Sequence, residues 1–526
     1  MLLFLPLFLL AGNSSNTIIP KPQSFIAKSG EFHLNKQTRC HTDTVLSKNA
    51  ETYLQTHLKK NARYTLKKGK SGKNSLQFRY APKKIKKSEG YQLQVSKEKI
   101  LILAKDKAGF FYAVISLMQL MDPLIWSTSG KKKSTWTIHS CSIEDAPCYR
   151  WRGMMLDVSR NFFSKAYVKK FIDRMAQHKL NRFHWHLTDD EGWRINIKKY
   201  PRLTQIGAKR GPGTKLPFST FPAMRGPKKR AQSGYYTQND IREIIAYAKV
   251  RSIEILPEID IPGHAKAAIV SYPKLLQDPQ DKSRYRSVQK VSSNTLNPAL
   301  PGTYIFLENV IAEVSRLFPF GYIHLGGDEV PKGAWKRSPA VKKLMKAKHL
   351  KSKREVQNYF FSRMDSILAK HGKKMIAWQE VLFGKPKLRK SDIFMAWKSQ
   401  KAGFKAIKQH RNVIMSPVQY LYFDQQYVRS KTEPGHTWST PVSTKKTYSF
   451  NPETSRYLKG VEACLWSETL LNENIADYLA WPRALALSEV AWTAQKQRNW
   501  KDFRKRVLGK GLERLKVQKI HYRLMH

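Results

Sequence analysis

Acidic residues are scarce in this chain: 39 Asp and Glu stand against 95 Lys and Arg in 526 residues, a net charge of +56. Such an imbalance leaves two readings, a polyanion binder or a lysine-rich solvated surface. The basic residues are scattered, with small clusters at Lys83–Lys87 and Lys131–Lys133. A dedicated binder concentrates its charge in one arm or stripe. No specific nucleic-acid partner is therefore expected, whereas loose electrostatic contact with anionic envelope surfaces is. The densest run, Lys342 to Arg354, is interrupted by Leu344, Met345 and Leu350 and reads as the solvated face of one helix. Cysteine is equally sparse: Cys40, Cys141, Cys148 and Cys464 show no zinc spacing. Cys141 and Cys148 either pair across a short loop or stay free. Long apolar runs are absent too. Residues 2–12 are too short to span a bilayer but long enough for the core of a signal peptide, although no Lys or Arg precedes Lys21. Residues 1–15 are expected to direct export to the periplasm or beyond. Asn13 stands where a lipoprotein needs cysteine, so no lipid anchor is expected.

Aromatic residues are plentiful, with 13 Trp and 23 Tyr, and flat faces suit a core, a sugar ring or a base. A chain this long exceeds one ordinary domain. Residues 16–145 carry strand-like stretches at 75–80, 91–95 and 99–104, then helical spacing over 108–121, which predicts a small α+β domain. From 146 to about 500 short apolar strands alternate with amphipathic helices. Strands are expected at 153–156, 182–187, 253–257, 322–325, 375–378, 393–397, 413–415 and 461–466. Thr237–Asp240 reads as a capping box opening one of the helices. Eight strand–helix units predict an α/β chain built on a (β/α)8 TIM barrel. The long connections 211–232 and 271–301 are expected to shape its mouth, and residues 501–526 to form a helical tail.

Barrel function collects at the C-terminal strand ends. Here those ends carry Asp157 and Arg160; His186, Asp189, Asp190, Glu191 and Trp193; Glu258, Asp260 and His264; Asp328 and Glu329; Trp378; Trp397; Tyr422 and Asp424; and Trp466 and Glu468. A chain poor in acids thus gathers them beside tryptophans. A phosphate site would show the reverse, whereas a neutral sugar needs acceptors for its hydroxyls and flat walls for its C–H faces. Singly, each residue is as well explained as a helix cap or core aromatic; coincidence explains the set poorly. In His324-Leu325-Gly326-Gly327-Asp328-Glu329, regular strand geometry sends adjacent side chains to opposite faces. Gly326 and Gly327 permit a departure that brings both acids to one site. Crowding favours one acid staying protonated, as a general acid requires; the alternative is that both merely cap the next helix.

These segments together resemble glycoside hydrolase family 20, the β-N-acetylhexosaminidases. The matching motifs are R-G-M-M-L-D-V-S-R-N-F-F (152–163), H-W-H-L-T-D-D-E-G-W-R (184–194), L-P-E-I-D-I-P-G-H (256–264), H-L-G-G-D-E (324–329), I-A-W-Q-E (376–380) and L-W-S-E (465–468), in the family's order. I-I-P-K-P-Q (18–23) and residues 108–120 echo its accessory domain. The resemblance implies exo-hydrolysis of terminal β-linked GlcNAc or GalNAc with retention, the sugar's own 2-acetamido oxygen acting as nucleophile and giving an oxazolinium-type intermediate. It implies that Glu329 is acid and base, that Asp328 orients the acetamide, and that Tyr422, with Tyr420 as its neighbouring candidate, binds the acetamide oxygen. Trp378 and Trp397 would wall the methyl group, and Trp466 would underlie the ring. Arg160, Asp424 and Glu468 would hold the outer hydroxyls. Asp189 and His264 would also stand close to the substrate, with Asp260, His186 and Glu258 supporting them. No cofactor or metal is implied. A glycan-binding protein without catalysis and a polyanion binder remain the alternatives; oligomeric state is open.

Overall fold

The computed structural model describes residues 16–130, 133–211, 216, 232–383, 387–452 and 454–525. Residues 1–15, and most of the long connection 212–231, lie outside them.

The N-terminal part is a seven-stranded mixed sheet. Its strands are β1 (Ser24–Leu34), β2 (Arg39–Thr42), β3 (Lys67–Lys68), β4 (Ser75–Tyr80), β5 (Tyr91–Val95), β6 (Lys99–Ala104) and β7 (Trp136–Asp145). Their order is β1-β7-β5-β6-β4-β2-β3. Helix α2 (Lys107–Leu120) packs on β5 and β6, and helix α1 (Lys48–Ala62) packs against α2. Asp106 caps α2 by accepting from the Gly109 N–H at 2.8 Å. Every residue from Gly109 to Gln119 is buried, because α2 has protein on all sides, as an apolar surface all round a helix requires. Its Tyr112 meets Trp492 edge-on at 5.2 Å, and Gln119 donates to the Gln177 carbonyl.

The second part is a closed eight-stranded parallel barrel. Its strands are β8 (Trp151–Asp157), β9 (Arg182–His186), β10 (Glu254–Glu258), β11 (Tyr322–His324), β12 (Lys374–Trp378), β13 (Ile393–Ala396), β14 (Asn412–Met415) and β15 (Leu458–Leu465). All eight coincide with the expected stretches to within three residues. Strand alternation sets what faces in. Met154, Leu156, Phe183 and Trp185 join the large apolar layer beneath the helices, while Trp151, Met155, Leu256 and Trp378 fill the barrel's own core. By the same parity His184 and His186 flank Trp185 and point inward with Glu258. Thr237 and Asp240 form the expected capping box on the helix Gln238–Lys249.

One expectation needs correction, and one open alternative is decided. The basic run Lys342–Arg354 is not one helical face. The helix Pro339–Ala347 ends, His349 turns the chain at φ +53°, and a second helix begins at Lys353. Cys141 and Cys148 do not pair: Cys141 is buried in β7, Cys148 is exposed, and all four cysteines are free thiols. The tail after 500 is helical over Trp500–Arg506 and Leu512–Val517 and non-helical beyond Gln518. Among the described residues no helix is long and apolar enough to cross a membrane.

Candidate active site

A cavity of about 330 Å³ opens at the C-terminal ends of the barrel strands. Asp328 and Glu329 stand on one wall. The chain leaves β11 at His324, and Gly326, Gly327 and Glu329 then take φ of +62°, +100° and +45°. This left-handed path turns both acids toward the same space. Only glycine fits at 326 and 327: a Cβ on the first would fall inside the Asp260 carboxylate, and one on the second against Val381 and Phe361. Glu329 is not glycine and adopts the left-handed region, a strain that surrounding contacts must hold.

Burial is the main cause of the acids' behaviour. It pushes Asp328 up to about 7, with Glu329 and Glu380 adding repulsion and His264 opposing. Glu329 is raised as well, first by burial and then by Glu380. Nε2 of His264 lies 3.7 Å from a carboxylate oxygen of each. Burial works against charge on His264, but Asp189, Asp328 and Asp260 outweigh it and lift its pKa well above the usual histidine value.

Behind that histidine runs a chain of alternating carboxylates and imidazoles. His264 Nδ1 meets Asp189 at 3.1 Å, and Asp189 meets His186 Nε2 at 3.1 Å. His186 Nδ1 meets Glu258, which also meets His184 at 3.0 Å and His324 at 2.7 Å. His184 ends on Glu462 at 2.7 Å. The lateral register explains the middle of this chain, because Glu258 pairs across to His186 on β9 and to His324 on β11. His184, Glu258 and His324 have donor atoms within 4.8 Å of one another. That spacing could hold a cation, and hydrogen bonds among the same atoms account for it equally.

The far side of the cavity is aromatic. Trp378 and Trp466 lie 5.9 Å apart, Trp397 stacks on Tyr422 at 6.0 Å and 17°, and Tyr422 is 6.3 Å from Trp466. Trp378 donates its indole N–H to Glu258, and Trp397 donates to Glu380. The polar floor is Arg160, Asp424, His436 and Glu468. Arg160 contacts Asp189 at 2.6 Å and Glu468 at 4.0 Å and lies 5.0 Å from the Trp466 ring. Burial raises the Glu468 carboxyl, but Arg160 and His436 override it and hold it at about 2. Asp424 goes the other way, to about 7, chiefly through burial.

The cavity therefore gathers Arg160, His264, Asp328, Glu329, Trp378, Trp397, Tyr422, Asp424, Trp466 and Glu468. Asp189, expected close to the substrate, is not on its wall: both its oxygens are committed to Arg160, His186 and His264, and it is 1 % exposed. Asp260, His186 and Glu258 lie beneath the wall. Tyr420 packs on Phe450 at 5.2 Å, away from the cavity, which leaves Tyr422 as the phenol facing in. Four further lining residues were not singled out one by one: Val288 and Gln289, which lie in the connection 271–301 expected to shape the mouth, and His436 and Trp438. They sit in irregular connections where no periodicity marks an inward face.

Buried carboxylates with aromatic walls in a barrel mouth can hold and protonate a neutral glycan. Known proteins point the same way. The model for "Glycosyl hydrolase family 20, catalytic domain" matches residues 149–495, and that for its domain 2 matches 15–146. A beta-hexosaminidase of Vibrio furnissii is 36% identical over 486 residues, covering 90% of this chain and 76% of that protein. One from Porphyromonas gingivalis is 37% identical over 447 residues, covering 83% of this chain and about half, 55%, of that protein. The crystal structure of a GH20 exo beta-N-acetylglucosaminidase from Vibrio harveyi, solved with N-acetylglucosamine, superposes with a TM-score of 0.90 at 37% identity. It covers 97% of this chain and 78% of that one. With matches over almost its whole described length, the chain belongs to glycosyl hydrolase family 20 and is a glycoside hydrolase.

Proposed function

We propose that the enzyme is an exo-acting β-N-acetylhexosaminidase that removes terminal β-linked GlcNAc or GalNAc with retention, using the substrate's acetamide as nucleophile. The observation that carries this reading is the pair Asp328 and Glu329 turned into one aromatic-walled cavity beneath His264. Glu329, its pKa raised by burial, donates a proton to the leaving oxygen and then withdraws one from water. Asp328, ionised, holds the acetamide N–H and offsets the positive charge that develops on the ring closed by its oxygen. The Tyr422 hydroxyl donates to that oxygen, and Trp378 and Trp397 confine the methyl group. Trp466 underlies the sugar ring, while Arg160, Asp424 and Glu468 bind the outer hydroxyls. The enclosed polar floor suits a chain end rather than an internal unit. The names of the relatives support the substrate class.

Aryl β-glycosides with and without the 2-acetamido group test the reading. Only the acetamido compounds should turn over, and a thiazoline mimic of the closed ring should inhibit strongly. Comparable turnover of a plain β-glucoside would remove substrate assistance. Export through residues 2–12 belongs to the same proposal, and N-terminal sequencing of the protein recovered outside the cytoplasm checks it.

A further inference from the structure

We infer that Gln289 is a positioning residue for Glu329 and forms the leaving-group side of the site. It rests on the assignment of Glu329 as the proton donor. The side-chain amide of Gln289 donates to Oε2 of Glu329 at 3.4 Å. Its neighbour Val288, 62% exposed, also lines the cavity and marks this place as the rim.

The tip that carries both residues is built. Ser287 N–H donates to the Val291 carbonyl at 2.8 Å, and Lys290 N–H donates back to the Ser287 carbonyl at 2.9 Å. The Ser287 hydroxyl accepts from Val291 N–H at 3.1 Å. Arg286 and Ser292 bridge as antiparallel partners, and Lys290 and Ser293 take φ of +65° and +50° to close the turn. Ser287 and Val291 are buried beneath it. Gln289 is thus presented from a closed seven-residue span, Arg286 to Ser292, and not from a loose strand of chain.

A group that protonates the leaving oxygen must face the leaving group. A side chain that reaches that same carboxylate from the rim therefore stands beside the departing alcohol. Chemically, an amide N–H stabilises the ionised carboxylate and carries no charge of its own at any working pH. The other groups bearing on Glu329 are His264 and Arg160, which favour its ionised form, and Glu380, which opposes it; Asp328 adjoins it. Gln289 is the neutral member of that set, so its removal takes away its hydrogen bond to Glu329 without adding or deleting a charge.

The test compares Gln289→Leu and Gln289→Glu with wild type, using one substrate with a sugar leaving group and one with a strongly acidic nitrophenol. In Gln289→Leu the alkaline limb of kcat/KM should move up by about half a pH unit, less than a short hydrogen bond to a carboxylate is worth because this one is 3.4 Å long. In Gln289→Glu it should move further in the same direction, because a second negative charge faces Glu329. The kcat for the sugar leaving group should fall about five-fold in Gln289→Leu, while the nitrophenyl substrate, which needs little protonation, changes less than about two-fold. Unmoved limbs, or equal losses on both substrates, would overturn the inference. Glu329→Gln assayed alongside separates the two claims. If Glu329→Gln retains turnover of the sugar substrate, the acid is misassigned. If it loses turnover while the Gln289 variants match wild type, Gln289 alone is misassigned.

Discussion

Asp328 is an acid held where ionisation is costly. In the unfolded chain it releases its proton near 3.8; in the fold it keeps it until about pH 7. Between those values the folded state binds the extra proton, so stability falls as pH rises through the window and levels off above 7. The cost is on the order of a few kcal/mol. Replacing Asp328 by Asn keeps the shape and removes the penalty. Asp328→Asn should therefore unfold at a higher temperature than wild type at pH 8 and at nearly the same temperature at pH 4, while turnover drops at least about a hundred-fold. Differential scanning at both pH values reads this directly, and a lower melting point at pH 8 would contradict the burial argument. Glu329→Gln should cut turnover of a sugar leaving group about a thousand-fold and spare an acidic phenol far more. That both acids reach one site was legible because they follow two glycines; their separate roles came only from the resemblance. What the residues alone left hidden was the cause of the raised pKa, since mutual crowding is the smaller part and desolvation the larger.

At the scale of an element, the short connection after β11 does more than join a strand to a helix. It sets left-handed residues at 326, 327 and 329, with Gly326 close against the Asp260 carboxylate and Gly327 against Val381 and Phe361. Gly327→Ala should leave the circular dichroism of the barrel intact yet reduce kcat by two orders of magnitude or more, with a smaller change in KM, because it shifts both acids together. Full activity in that variant would show that the turn tolerates a side chain and does not aim the acids. The strands themselves were legible because alternation is written in them: His184-Trp185-His186 puts one aromatic outward between two histidines inward. Val288, Gln289 and Trp438 were not legible, because irregular segments carry no period to say which way a side chain faces. The same limit misled over Lys342–Arg354, where a charge run spans a helix end, a turn and a second helix start. Asp189 was misplaced for another reason: its strand-end position is right, but competition for its oxygens by Arg160 and two histidines is a matter of three dimensions.

For the molecule as a whole, charge is sorted by depth. Buried carboxylates crowd the barrel mouth and core, among them Asp157, Asp189, Glu258, Asp260, Glu462 and Glu468. Lysines dominate outside, as on the helix Gln400–Lys408, where Lys401, Lys405 and Lys408 are exposed and no acid is present. The two folded parts also meet through charge. Lys179, fully buried, reaches Asp145 at 2.8 Å, and Arg152 reaches the partly exposed Glu89 at 2.7 Å, so the sheet domain and the barrel share one ion pair away from water and one at its edge. The composition showed the excess of positive charge and the strand ends showed acids gathered at the mouth, whereas the burial of Glu462 in the barrel core was not marked. Vesicles containing anionic lipid should therefore retain the protein at low ionic strength and release it on addition of about 0.5 M salt, whereas neutral vesicles should not bind it. Retention that salt does not reverse would speak against an electrostatic contact.

The chain of imidazoles and carboxylates from Glu462 to His264 carries a separate consequence. Its members are buried, and only His264 at its end reaches the cavity, so salt in the medium screens it far less than it screens the surface lysines. Adding electrolyte should detach the enzyme from a charged support while its turnover of a small uncharged glycoside in free solution stays level, so that where the protein resides and how fast it works answer to different variables.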